Sequence, residues 1–254
     1  MNRVVGIMGA MPEEINGVVE LLAHPVEFEF GKRTYYKGAY KGVEMVVVFS
    51  RWGKVAAATT VSTLIHEFKI TELIFTGVAG ALQSDLNIGD IVIGKRLIQH
   101  DMDARPLMPQ FEIPLLDQMF FEAGSVQLKM AEDAVINLLE DKKLHSVIDD
   151  KDLEEFDITA PKLVVGDIAS GDQFFSCNHQ KKNLLSQIPS IQCVEMEGAA
   201  VAQVCYEYAI PFTIIRTISD VADEKAPIGF PAFIKSVASK YSVEIIKSYC
   251  SSYQ

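Results

Sequence analysis

Apolar and polar positions alternate along this chain in blocks that read as strand, helix, strand, helix. Arg3 to Gly9 is a near-continuous apolar run, as in a buried strand. Pro12-Glu13-Glu14 then opens a helix, since proline suits a first turn and acids are favoured there. Arg33 to Tyr40 and Val43 to Ser50 form a predicted hairpin around Lys41-Gly42. Gly53 to Phe68 reads as a long alanine-rich helix. Glu72 to Thr76 reads as a strand ending in a tight turn, Gly77-Val78-Ala79-Gly80. Further strands are expected over Asp90 to Gln99, Leu163 to Ala169, around Ile191 to Val194, and over Phe212 to Thr217. Further helices are expected over Lys129 to Glu140, from Ala199 to Val204, and over Phe233 to Tyr249. Such alternation predicts an α/β fold with a largely parallel sheet covered on both faces. The charge run in His145 to Thr159 reads as a solvated loop. With no repeat, low-complexity tract or domain boundary in view, residues 1–254 are expected to form one domain.

Composition narrows the class. A hydrophobic content of 49% is ample for a sizeable core, and a charged content of 22% is ordinary for a soluble protein. A net charge of −11 argues against a nucleic-acid or anionic-membrane surface. Cys177, Cys193, Cys205 and Cys250 are widely spaced, and no CxxC or Cys/His spacing suggests zinc. Cys193 and Cys205 fall in apolar runs and read as reduced core residues of a cytoplasmic protein. Glu13 and Glu14 come too early for a secretory signal, and no apolar run reaches membrane-spanning length. His100-Asp101-Met102-Asp103 offers nitrogen and oxygen donors, but without a second cluster it reads as hydrogen-bonding or interface residues rather than a metal site.

The chemistry gathers at strand ends. In Cys193-Val194-Glu195-Met196-Glu197-Gly198-Ala199-Ala200, two acids bracket a methionine where a buried strand turns into an apolar helix. Carboxylates there lose solvation and need partners. They could serve function or complement the helix dipole. Ligands of open α/β sheets bind beyond the carboxyl ends of the strands. Glu14, Asp172, Glu197 and Asp220 lie at four such ends, so the topology predicts that they meet on one rim. Acids crowded in a partly dry cleft have their pKa values driven apart, so one can act as base while another holds a proton. That division suits cleavage of a glycosidic bond by water. The competing reading makes Asp172 and Asp220 helix or turn caps. Phe174-Phe175 and the lone Trp52 are core residues by default; at strand ends either could face a flat ligand.

Five strings occur in order: Gly6 to Glu14, Gly53 to Ala58, Ser170 to Phe174, Val194 to Ala199 and Arg216 to Asp223. Together they resemble the bacterial 5′-methylthioadenosine/S-adenosylhomocysteine nucleosidases. The resemblance runs from residue 3 to about residue 240, interrupted at Asp103 to Ser125 and at the acidic run. It implies the nucleoside-phosphorylase fold, a three-layer α/β/α sandwich on a mixed sheet, and a homodimer acting on adenine nucleoside thioethers. Glu14 would then activate the attacking water, and Asp220 would protonate adenine N7. Ser219 would orient Asp220, and Arg216 would help hold Glu14 and the water. Glu197 would hold the ribose hydroxyls, Met196 would pack beneath the ribose, and Glu195 would belong to the same substrate-binding group. Phe174 would stack on adenine, and the Phe175 backbone would read its polar edge. Ala10, Met11, Trp52, Val78, Ala79 and Gly80 would line the pocket. Leu107 and Phe111 would cover the thioether tail, partly across the dimer interface. Neither a metal nor an organic cofactor is implied.

Three departures stand out. Val78 replaces the serine of the commoner glycine string and removes a hydroxyl near the water site. The GVAG form occurs in relatives that also cleave 6-amino-6-deoxyfutalosine, as do the SGDQF and QHD strings found here. Trp52 replaces a smaller aliphatic residue, and Arg105 to Ser125 does not match the common form. A phosphorylase of the same fold is the nearest rival, but an acid at the attacking position would repel phosphate. A non-catalytic nucleoside-binding protein is the other, and the presence of Glu14, Glu197 and Asp220 together argues against it.

Overall fold

Six consecutive residues of β1 (Val4–Gly9) are buried, as an apolar strand with both faces covered requires. This computed structural model describes residues 3–222 and 230–253. After β1 come α1 (Pro12–Val19), β2 (Ala23–Phe30), β3 (Arg33–Tyr40), β4 (Val43–Phe49), α2 (Lys54–Phe68), β5 (Glu72–Ala81), β6 (Ile91–Gln99) and β7 (Phe120–Glu122). Next are α3 (Ser125–Leu139), α4 (Asp141–Val147), α5 (Asp150–Glu155), β8 (Leu163–Ser170), α6 (Asn178–Gln187), β9 (Ile191–Glu195), α7 (Gly198–Glu207) and β10 (Phe212–Asp220). The chain ends in α8 (Phe230–Phe233), a π-helical turn (Ile234–Ala238) and α9 (Ser239–Ser251). Asp223, the last residue of the fifth string, lies outside the described residues.

The strands form one mixed sheet, ordered β10-β6-β8-β9-β5-β1-β4-β3-β2, and β10 pairs with β5 as well. Five strands therefore close into a ring, while β1, β4, β3 and β2 extend from it. On one face, Val61 and Leu64 of α2 and Val201 and Cys205 of α7 pack with Met8 and Phe75. On the other, Ile15 of α1, Val135 of α3, Leu144 of α4, Leu153 of α5 and Ile245 of α9 share a second core. The result is an α/β/α arrangement on a mixed sheet.

One edge of β5 changes partner partway along. Leu73 to Phe75 pair with β1 in parallel, whereas Gly80 and Ala81 pair with β9 in antiparallel sense. The carboxyl ends of β1 and β9 thus point at each other across the stretch Thr76 to Ala79. A gap at such a switch is where an α/β sheet accepts a ligand.

Two expectations change here. Gly77 to Gly80 is no turn, because β5 runs straight through it and pairs with β10. The acidic run is not a solvated loop: it contains the end of α4 and all of α5, anchored by the buried side chains Ile148, Leu153 and Ile158. One apolar residue per turn is enough when a neighbouring helix waits to receive it. No helix among the described residues is long and apolar enough to cross a membrane.

Candidate active site

A cavity of about 200 Å³ opens in the gap beside β5. Gly77, Val78, Ala79 and Gly80 form its floor, and the acids enter from three neighbouring strands. Two glycines make the approach possible. A Cβ on Gly77 would stand 3.0 Å from Glu14 Oε1, and one on Gly80 would stand 2.9 Å from Asp220 Oδ1. Both distances are tighter than ordinary contacts of a Cβ, so glycines here let two carboxylates lie against a strand backbone without shifting.

Glu14 arrives from the β1–α1 junction, where Pro12 starts the helix. Its side chain is buried, and Oε2 accepts the amides of Ala10 at 2.6 Å and Met11 at 3.0 Å. Burial drives its carboxyl up to about 7, while the charge of Arg216 and the amides of Ala10, Met11 and Val78 pull it back down. A carboxylate held there is matched to accept a proton near neutral pH. With Val78 in the floor, only that residue's backbone reaches Glu14.

Glu195 and Arg216 form a buried pair, Nη2 to Oε2 at 2.7 Å, with side-chain exposures of 3% and 1%. Arg216 also donates to the carbonyls of Phe75 and Ile215 and lies over the Phe75 ring at 4.0 Å. The resemblance has Arg216 holding Glu14; its hydrogen bonds go instead to Glu195 and these backbone groups, and it acts on Glu14 by charge. Glu195 accepts the amides of Glu197 and Gly198 at the start of α7, along with the Ser170 hydroxyl. Its oxygens are thus engaged by the protein, and it lines the cavity as the group that fixes the β9–α7 corner. The dipole reading of the paired acids therefore describes Glu195.

Glu197 differs from its neighbour. Oε1 accepts the Gly53 amide at 2.7 Å, and the side chain faces the cavity. Burial and the adjacent Glu195 charge push its carboxyl well above the ordinary range. Asp220 ends β10 opposite Gly80. Its Oδ2 accepts from Ser219 Oγ at 2.8 Å, and its Oδ1 accepts from the Ala222 amide at 2.8 Å. Ser219 and the Ala222 amide thus each hold one Asp220 oxygen.

The remaining lining matches most of the expected residues. Ala10, Met11, Trp52, Val78, Ala79, Phe174, Phe175 and Met196 all reach the cavity. Three expected participants do not. Leu107 is 89% exposed and away from the cavity. Phe111 packs in the small apolar cluster with Phe175 and Leu184. Asp172 stays outside because its Oδ1 accepts the Lys54 amide at the start of α2, so it is the cap that the competing reading made it, though of an earlier helix. Asp101 joins that corner, taking Lys54 Nζ at 2.6 Å and the Asp172 amide at 2.9 Å, in keeping with a hydrogen-bonding role for this string. No cluster that could hold a metal ion occurs among the described residues. The sequence reading passed over Gly77, Gln173, Val194 and Phe230 as lining. The first three adjoin named site residues and could have been taken with them, whereas nothing local marks Phe230.

Residues 4–249 match the phosphorylase superfamily model. The chain is 35% identical to an aminodeoxyfutalosine nucleosidase of Helicobacter pylori, covering 98% of each protein. It is 34% identical to a 5′-methylthioadenosine/S-adenosylhomocysteine nucleosidase of Staphylococcus aureus, covering 96% of this chain and 99% of that one. The Neisseria meningitidis nucleosidase of the same name, solved in complex with methylthio-immucillin-A, superposes with a TM-score of 0.86 at 31% identity over 98% of this chain and 99% of that one. The strand-end acids, the split in β5 and full-length similarity lead to one assignment: the chain belongs to the phosphorylase superfamily and, within it, to the 5′-methylthioadenosine/S-adenosylhomocysteine nucleosidase family.

Proposed function

We propose that this protein, acting as a single catalytic domain, hydrolyses the N-ribosidic bond of 5′-methylthioadenosine, S-adenosylhomocysteine and related 5′-substituted adenosines, including 6-amino-6-deoxyfutalosine. The observation that carries the reading is the meeting of Glu14, Glu197 and Asp220 around one cavity with an aromatic wall. In this scheme adenine lies on Phe174, with its N7 toward Asp220. Glu197 accepts the ribose hydroxyls, and its charge steadies the cation that develops as the C1′–N9 bond breaks. Water adds to C1′ and gives a proton to Glu14, while Asp220 gives one to N7. Adenine leaves neutral, and the other product is the free 5′-substituted ribose. Side chains and water supply every atom moved, so the reaction needs no metal or cofactor.

Water is favoured over phosphate as the nucleophile. Among the described residues, Arg216 is the only cation lining the cavity, and its hydrogen bonds are taken by Glu195 and backbone carbonyls. A phosphate beside Glu14 would meet a carboxylate instead. Adenine release in phosphate-free buffer, from methylthioadenosine and aminodeoxyfutalosine in parallel, tests the reading. A rate that appears only with phosphate overturns it.

The acid side of the pH profile follows from the carboxyls. Glu14 must be ionised to accept a proton, and its pKa is about 7. Glu197 must be charged to steady the cation, and it too is shifted upward. The value of kcat/KM should therefore fall as pH drops, with an apparent midpoint near or above 7. A midpoint near the ordinary glutamate value of 4.5 would contradict these roles.

The reading includes a homodimer in the cytosol. Leu107 stands outside this chain's own cavity, and Leu115 and Val55 are 93% and 79% exposed. A second copy would cover such side chains and bring Leu107 to its partner's tail pocket.

A further inference from the structure

We propose that Asp172, the strand-end acid that stays outside the cavity, is a positioning residue for Glu197 and acts on it through the β4–α2 turn; this rests on the nucleoside reading above, in which Glu197 holds the ribose. Glu197 is sparingly held for a buried carboxylate. Among the described residues, the one hydrogen bond that its side chain accepts comes from the Gly53 amide, at 2.7 Å. Glu14 takes two amides on a single oxygen. Glu195 takes two amides, a hydroxyl and a guanidinium. The aim of Glu197 into the cavity is therefore decided by the position of one backbone N–H.

That N–H belongs to a turn the chain would not adopt unaided. Arg51 has φ +72° and Gly53 has φ +92°. Such conformations persist only where surrounding contacts impose them. Arg33 grips the turn from one side, donating Nε to the Ser50 carbonyl at 3.1 Å. Asp172 grips it from the other, where Oδ1 accepts the Lys54 amide at 2.8 Å, one residue beyond the amide that binds Glu197. A Cβ on Gly53 would stand 2.9 Å from that same oxygen, so Asp172 lies directly against the turn. Asp101 closes a ring around this contact. Its Oδ2 accepts the Asp172 amide at 2.9 Å, and its Oδ1 accepts Lys54 Nζ at 2.6 Å. Burial disfavours the Asp101 charge, but Lys54 and the Asp172 amide outweigh it and keep the carboxyl below its ordinary range. The ends of β6 and β8 are thus tied to the start of α2, and the Gly53 amide is fixed before a ribose arrives. Without the ring, Glu197 would meet the ribose hydroxyls only at the cost of ordering the turn.

Asp172 is exposed, so its replacement leaves the core intact. The test measures dissociation constants of 5′-methylthiotubercidin, which has carbon in place of N7 and is bound without being cleaved, and of its 2′,3′-dideoxy counterpart. Asp172→Ala should weaken binding of the hydroxyl-bearing compound by about tenfold and of the dideoxy compound by less than about twofold. Asp172→Asn, whose side-chain oxygen still accepts the Lys54 amide, should restore most of the affinity. The kcat/KM for methylthioadenosine should follow the same order. Unchanged affinity in Asp172→Ala overturns the proposal. Equal weakening of both compounds also overturns it and makes Asp172 a general support of the fold at that corner. An Asp172→Asn variant as poor as Asp172→Ala overturns it too, because charge and not the grip on the turn would then matter. Absence of adenine release from methylthioadenosine by the wild type would instead reject the nucleosidase reading itself.

Discussion

Replacing Glu14 with glutamine should lower adenine release by about 100- to 10,000-fold and at the same time make the protein more stable at alkaline pH. The first effect follows from the loss of the only carboxylate that the amides of Ala10 and Met11 aim into the floor of the cavity. The amide of glutamine fills the same space, and its oxygen can accept the Ala10 and Met11 amides as Oε2 does, but it cannot take a proton from water. The second effect follows from linkage. Folding raises the Glu14 pKa from 4.5 to about 7, so between these values the native state holds a proton that the unfolded chain gives up. Stability is therefore lost as pH rises through that window and stays lower above it. The shift corresponds to about 3 kcal/mol at pH 8. Glutamine escapes that cost and returns part of it, because its NH2 must face the Val78 amide that one carboxylate oxygen accepted. Melting curves should show the variant higher by a few degrees at pH 8 and level with the wild type near pH 5. A variant less stable than the wild type at pH 8, or one within tenfold of its activity, would show that Glu14 is a structural acid.

That coupling of cost and function also explains which parts of the molecule the sequence makes legible. Strand β1 is apolar throughout and β10 opens on an apolar run broken only by Thr213, so their carboxyl ends can be read directly and Glu14 and Asp220 placed near them without a structure. Glu195 and Glu197 look alike in sequence. Only the register of β8 against β9, which sets Ser170 opposite Glu195, and the reach of Arg216 from β10 decide that the first belongs to the scaffold and the second to the cavity. Asp172 shows the same limit. It ends a strand as the others do, but the start of α2 lies near enough for it to cap, and no local pattern reports that proximity. The run Gly77 to Gly80 misleads for a physical reason: glycines usually mark turns, whereas here they thin a strand so that carboxylates can lie against it. Strand β2 is a different case. Val26, Phe28 and Phe30 alternate with Glu27 and Glu29, a period-two signal present in the sequence but absent from the expected strands. Helix α6 is mostly polar and shows one buried residue, Leu184, so it forms by docking against Ile188, Ile191 and Val194 rather than by its own pattern.

Asp220→Asn should likewise lose about 100- to 10,000-fold in kcat on adenine nucleosides, with nucleoside binding retained. Asparagine fits the site as aspartate does. Its oxygen can accept the Ala222 amide, and its NH2 can donate to Ser219 Oγ, which turns from donor to acceptor. The cavity keeps its shape, and the variant can still place a hydrogen bond on N7. It cannot give up the proton. Adenine must then depart as an anion, and the barrier to breaking the C1′–N9 bond rises. The two variants can be told apart by the leaving group. A 5-methylthioribofuranoside of 4-nitrophenol departs readily without a proton, so Asp220→Asn should hydrolyse it nearly as well as the wild type. Glu14→Gln should fail on it as it fails on adenine, because the attack of water is impaired whatever leaves. If Asp220→Asn is equally poor on both compounds, Asp220 acts in holding the substrate or shaping the β10 end, and the proton reaches adenine by another route.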